Sequence, residues 1–151
     1  MFRASILLAA LVAGGAQAAE IRDYQKCVDL AQVSPEVVRA EAIAWYAETG
    51  DPGALHCEAI ALSEIGALRS AAAKMQTVAQ LPGIDTLTRV DLLTQAALLW
   101  RQDGSSDAAF GALDTAMKYQ RTPRVLIERS ILHAERRAWE EAKADLDEAL
   151  R

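Results

Sequence analysis

Three apolar triplets with the same internal spacing recur along the chain: Ala71/Met75/Val78, Ala109/Leu113/Ala116 and Ala142/Leu146/Ala149. Steps of four and then three residues place each triplet on one face of an α-helix. Twelve residues before each triplet stands a small residue, Ala59, Ala97 or Ser130, and nine before it a larger one, Leu62, Trp100 or His133. A fixed offset kept across three units defines a repeat, in which the small residue lets two helices approach and the larger one fills the space beside it. The triplets lie 38 residues apart from Ala71 to Ala109 and 33 apart from Ala109 to Ala142, the excess falling around Gly83-Ile84-Asp85. Loops absorb such differences at small entropic cost.

The rest of the chain agrees with an all-α reading. Ala, Leu, Glu, Arg and Gln dominate, and no stretch alternates polar and β-branched residues as a strand would. Ser34-Pro35, Asp51-Pro52 and Thr122-Pro123 each put a capping side chain before a proline suited to the first helical position. Gly50, Gly66 and Gly104 suit the left-handed position just past a helix end, and Pro82-Gly83 breaks the chain before Asp85. The pattern predicts helices over residues 22–32, 35–49, 52–65, 67–81, 86–102, 105–120, 123–136 and 138–150. Eight helices with short turns make four antiparallel hairpins.

On these residues the chain resembles the tetratricopeptide repeat family, whose units are helix-turn-helix hairpins of about 34 residues. One match consists of Ser130, His133, Trp139, Ala142, Leu146 and Ala149, and another of Leu93, Ala97, Trp100, Gly104, Ala109, Leu113 and Ala116. A third consists of Ala59, Leu62, Gly66 and Ala71, followed by Pro82. Residues 52–151 carry the resemblance; residues 19–51, where only Ala40/Ala44/Ala47 keep the spacing, read as a degenerate N-terminal hairpin or cap. The departures are Arg137, where the other units have a turn glycine, and His133, which replaces an aromatic residue. The resemblance implies a right-handed array whose first helices line a concave groove. Transferring the family's groove-facing positions gives His56, Ile60 and Glu64, then Thr94, Leu98, Arg101 and Gln102, then Arg124, Ile127, Ile131 and Glu135. The family's clamp for a peptide carboxylate uses Lys and Asn at such positions, which this chain lacks, so a chaperone-tail ligand is not implied.

The amino end supplies the compartment. One positive charge at Arg3, an apolar run over residues 4–13 and the small-residue motif Ala16-Gln17-Ala18 form a secretory signal peptide, with cleavage expected after Ala18. The apolar run is shorter than the roughly 20 residues of a spanning helix, so the mature chain is expected to be soluble, periplasmic or secreted, with no membrane insertion. The full chain has formal net charge −5, and loss of Arg3 on cleavage removes a positive charge and leaves the mature chain more acidic still. Such a balance disfavours nucleic acid, whose phosphates are bound by Lys and Arg. In an oxidising compartment Cys27 and Cys57 read first as a disulfide, which would stabilise the fold by roughly 3 kcal/mol, with two free buried thiols as the alternative. The Tyr24-x-x-Cys27 start and the cysteine after His56 also resemble small exported proteobacterial proteins, and that resemblance supports the disulfide.

Chemistry finds little purchase in this sequence. His56 and Cys57 are adjacent, so on a helix their side chains point about 100° apart and do not form a nucleophile–base dyad. The two histidines lie far apart, without His-x-x-x-His or Cys-x-x-Cys spacing, so no metal site is expected. No phosphate-cradling glycine loop or Gly-x-Ser-x-Gly elbow occurs. Glu140, Glu141, Lys143 and Asp145 read as a solvated helix face, and Trp100 and Trp139 as packing residues. The expectation is a binding module without catalytic residues or cofactor, holding a peptide or helix of another envelope protein in its groove. Self-association through an exposed repeat edge is the alternative, and an envelope hydrolase the more distant one.

Overall fold

A computed structural model describes residues 21–151; the signal-peptide reading and the cleavage after Ala18 lie outside the described residues. The described residues form eight helices: α1 Tyr24–Ala31, α2 Pro35–Thr49, α3 Pro52–Glu64, α4 Leu68–Gln80, α5 Thr86–Gln102, α6 Ser106–Tyr119, α7 Pro123–Glu135 and α8 Trp139–Ala149. The fold is all-helical, and each helix packs on the next along the chain.

Local chemistry explains the boundaries. Asp23, Asp51, Asp85 and Thr122 each accept a backbone N–H from the first turn of the following helix, at 2.9, 2.8, 3.0 and 3.4 Å. These bonds satisfy amides that have no partner inside the helix. Pro35, Pro52 and Pro123 occupy the first turns of α2, α3 and α7, where a missing N–H costs nothing.

The turns within the last three hairpins share one construction. Gly66 N–H donates to the Ser63 carbonyl (3.0 Å) and Ala67 N–H to that of Leu62 (2.9 Å). Gly104 and Ser105 repeat this on Arg101 and Trp100, at 3.0 and 2.8 Å. Arg137 and Ala138 repeat it again on Ala134 and His133, both at 2.9 Å. The motif requires a left-handed residue, and Arg137 adopts it at φ 61° where the other two turns use glycine at φ 83° and 80°. The departure from the glycine pattern therefore changes the residue and not the geometry.

The predicted small positions and the first two triplets lie in the core, with Leu62 buried and Trp100 and His133 partly buried beside them. Ala59, Ala97 and Ser130 are buried, as are Ala71, Met75 and Val78 of α4 and Ala109, Leu113 and Ala116 of α6. In α8 only Ala142 of the third triplet is buried, while Leu146 is 43% exposed. That helix packs chiefly on α7, so the face that α6 buries against α5 and α7 stays open in α8. Trp139 is 62% exposed and corrects the expectation that it is a packing residue; Trp100 is partly buried, its indole N–H donating to Gln76 Oε1 at 3.0 Å. Asp145, read from sequence as belonging to a solvated face, is buried and receives Arg129 Nε at 2.8 Å.

Around α1 to α3 a separate cluster gathers Ile21, Val38, Ala42, Trp45 and Ala54 about the bonded pair Cys27–Cys57. The disulfide joins α1 to α3 with Cα atoms 5.9 Å apart. Residues 21–51, which scarcely show the repeat pattern, are thus held by an aromatic core residue and a covalent staple.

Candidate functional site

Among the odd-numbered helices α1 packs on α3 and α5 on α7. Arg101 of α5 pairs with Glu135 of α7 at 3.0 Å, and Arg124 of α7 pairs with Asp91 of α5. These pairs fix α7 against α5. Between α3 and α5 the apposition is looser than between α5 and α7. Helix α5 has 17 residues against 13 in α7, and the connection between α4 and α5, Leu81 to Asp85, is the longest between the described helices. Arg89 holds it in place: its guanidinium donates to the carbonyls of Ala79 (2.6 Å), Leu81 (3.3 Å) and Ile84 (3.0 Å) and lies 5.0 Å from the Tyr119 ring centre.

Between α3 and α5 lies a cleft of about 270 Å³. Ile60, Ser63 and Glu64 form its α3 wall, and Gln95, Leu98 and Gln102 its α5 wall. Met75 and Leu99, both buried, form the floor. Its volume lies just below the roughly 300–1,000 Å³ of pockets for drug-sized ligands. One or two apolar side chains fit such a space better than a cofactor does.

Four of the groove positions transferred from the repeat family converge here: Ile60, Glu64, Leu98 and Gln102. His56 stands one turn before Ile60 on the same face of α3. Arg101, Arg124 and Glu135 are engaged in the α5–α7 ion pairs, while Ile127 and Ile131 are exposed on α7 and do not line the cleft. Thr94 is a core residue, 1% exposed, its hydroxyl donating to the Val90 carbonyl at 2.7 Å. The wall position belongs to its neighbour Gln95, because one residue along a helix is a rotation of about 100°. The spacing of Gln95, Leu98, Leu99 and Gln102 is itself helical and carries that signal. Met75 is legible in the sequence only as a core residue, and Ser63 has no distinguishing pattern.

Toward the amino ends of these helices lies a polar cluster. Tyr24 of α1 stacks on His56 with ring centres 5.3 Å apart, and its hydroxyl meets His56 Nδ1 at 3.0 Å. Burial lowers the His56 pKa below the ordinary histidine value, opposed by the Gln95 side chain and the charge of Asp91. Burial also raises the Tyr24 pKa, with a further contribution from Asp91. Near neutral pH the imidazole is therefore uncharged and the phenol protonated. Gln95 stands near enough to favour the charged ring, yet no hydrogen bond closes on His56 Nε2. Arg101 Nε is likewise buried without a partner. Both atoms are shielded from solvent, and neither residue lines the cleft.

Among the described residues no helix is long and apolar enough to cross a membrane, and no group of three or more His, Cys, Asp or Glu is placed to hold a metal ion. Compared with known proteins, the chain matches no family model, no curated protein and no solved structure.

Proposed function

We propose that this chain is an exported, tetratricopeptide-like interaction module that holds a peptide or helix of another envelope protein against the face shared by α3, α5 and α7. The observation that carries the reading is the cleft between α3 and α5, where Ile60 and Leu98 remain only partly buried above an apolar floor. An apolar slot rimmed by polar side chains suits an anchor residue from a bound segment. The disulfide between Cys27 and Cys57 is compatible with residence outside the cytoplasm and supports the export half of the proposal. The proposal involves no reaction and no cofactor.

The test is affinity capture from the envelope fraction with the wild-type chain and with an Ile60→Asp/Leu98→Asp variant whose helicity and melting are matched to it. The reading expects specific partners to be lost from the variant. Partners retained at wild-type yield overturn it.

A second reading, self-association, is favoured by the apolar exposure of α8, where Trp139 is 62% and Leu146 43% exposed. Apolar surface gathered at an open helical edge is a common docking surface. Light scattering across a wide concentration range decides it: a rising mass that Leu146→Glu abolishes supports self-association, and a constant monomer mass rejects it.

A further inference from the structure

Building on the groove reading, we propose that the cleft between α3 and α5 selects a peptide segment in which an aliphatic residue is followed by lysine or arginine, the cation being held by Glu64. Two observations at the cleft carry this.

The first is charge. Glu64 is exposed at the rim and forms no ion pair among the described residues, whereas the neighbouring Arg101 is already neutralised by Glu135. An uncompensated carboxylate beside a low-dielectric slot attracts a cation more strongly than it would in open water.

The second is helix polarity. Glu64 is the last residue of α3 and Gln102 the last of α5, so both helices point their carbonyl ends, with partial negative charge, at the same end of the cleft. The potential there favours a positive group from three directions.

A peptide side chain fills the apolar slot between Ile60 and Leu98 while the following cation reaches Glu64 at the rim. A simple alkylamine brings the cation alone.

The experiment is a titration of the 15N-labelled, disulfide-intact protein with acetyl-Leu-Lys-amide, acetyl-Leu-Glu-amide and acetyl-Ala-Lys-amide, followed by heteronuclear NMR. The Leu-Lys probe is expected to shift the Ser63 and Glu64 amides and the side-chain amides of Gln95 and Gln102. It should bind roughly threefold to fivefold more tightly than Leu-Glu, the scale of one solvent-facing ion pair. Glu64→Gln, an exposed substitution whose spectrum reports its own folding, should cut that preference below about twofold. Equal binding of Leu-Lys and Leu-Glu at the cleft, or a preference unchanged in Glu64→Gln, overturns the assignment of the cation to Glu64 and leaves the apolar groove standing. No shift at the cleft residues with any probe overturns the groove reading together with it.

Discussion

Removing the disulfide tests how the segment with least repeat character is held. Cys27 and Cys57 are separated by 30 residues and both are fully buried. Opening that loop in the unfolded state returns chain entropy worth about 3.6 kcal/mol at 25 °C on the loop-closure relation. Unfolding entropy near 2.1 cal/mol/K per residue, taken over the roughly 130 residues from 21 to 151, converts this to a fall in Tm of about 13 °C. The loss should be uneven. At 8 residues α1 is shorter than the roughly 12 to 15 that an isolated helix needs to be even marginal, so it depends on tertiary attachment. The assay is differential scanning calorimetry of Cys27→Ala/Cys57→Ala against the oxidised wild type, with amide hydrogen exchange on both. The expected result is the stated Tm loss and exchange protection lost first in α1 and α2, while α5 and α6 keep theirs. A Tm within about 3 °C of wild type with unchanged protection in α1 would refute the reasoning, because packing around Trp45 would then suffice alone.

Three further predictions follow from single residues. Arg137→Gly relieves a left-handed backbone in a turn geometry that the other two hairpins build with glycine, and should raise stability by about 1 kcal/mol in urea unfolding; no gain would mean the Arg137 conformation carries no strain. Burial depresses the His56 pKa in the folded state, so below about pH 6.5 the unfolded chain takes up a proton that the folded chain refuses. Stability should therefore fall as pH drops from about 6.5 toward the folded-state pKa and then level off, and His56→Gln should flatten that fall. The lowered carboxyl pKa values of Asp85, Asp103 and Glu148 put their losses at more acidic pH, where both proteins should respond alike. Arg89→Met leaves three carbonyls of the α4 end and the following loop without their donor and should cost about 2 kcal/mol. Exchange in residues 81–85 should accelerate in that variant, and unchanged exchange would contradict its role as the brace of the loop.

Helix positions are legible in the sequence because the chain marks them with residues of narrow backbone tolerance. Proline after Ser, Asp or Thr fixes three starts, and glycine fixes the ends of α2, α3 and α5 to within about two residues. The cleft is only partly legible. Ile60, Glu64, Leu98 and Gln102 sit at groove positions expected from the resemblance, but choosing between Thr94 and Gln95 requires knowing which side of α5 meets its neighbours. The extra residues between the first two triplets lie mostly in α5, which has 17 residues against 13 in α7, and not around Gly83-Ile84-Asp85 as the sequence suggested. Trp139 departs from expectation for a related reason: its position in the hairpin resembles the others, but exposure depends on what packs beyond it. The ion pairs Arg69–Asp103, Arg101–Glu135 and Asp91–Arg124 join residues 34, 34 and 33 apart, one repeat unit in each case. That spacing is visible in the chain, though nothing local distinguishes those charges from the solvated ones around them.

The central claim is that the shared face of the odd-numbered helices is where a partner binds, and site-specific photo-crosslinking in the cell envelope tests it most directly. A photoreactive residue at position 98 in the cleft or at exposed position 131 on α7 should give discrete crosslinked species. The same residue at exposed positions 77 on α4 or 114 on α6 should give none. Crosslinks of equal yield and pattern at all four positions, or at 77 and 114 alone, would contradict the account and move the binding surface off this face.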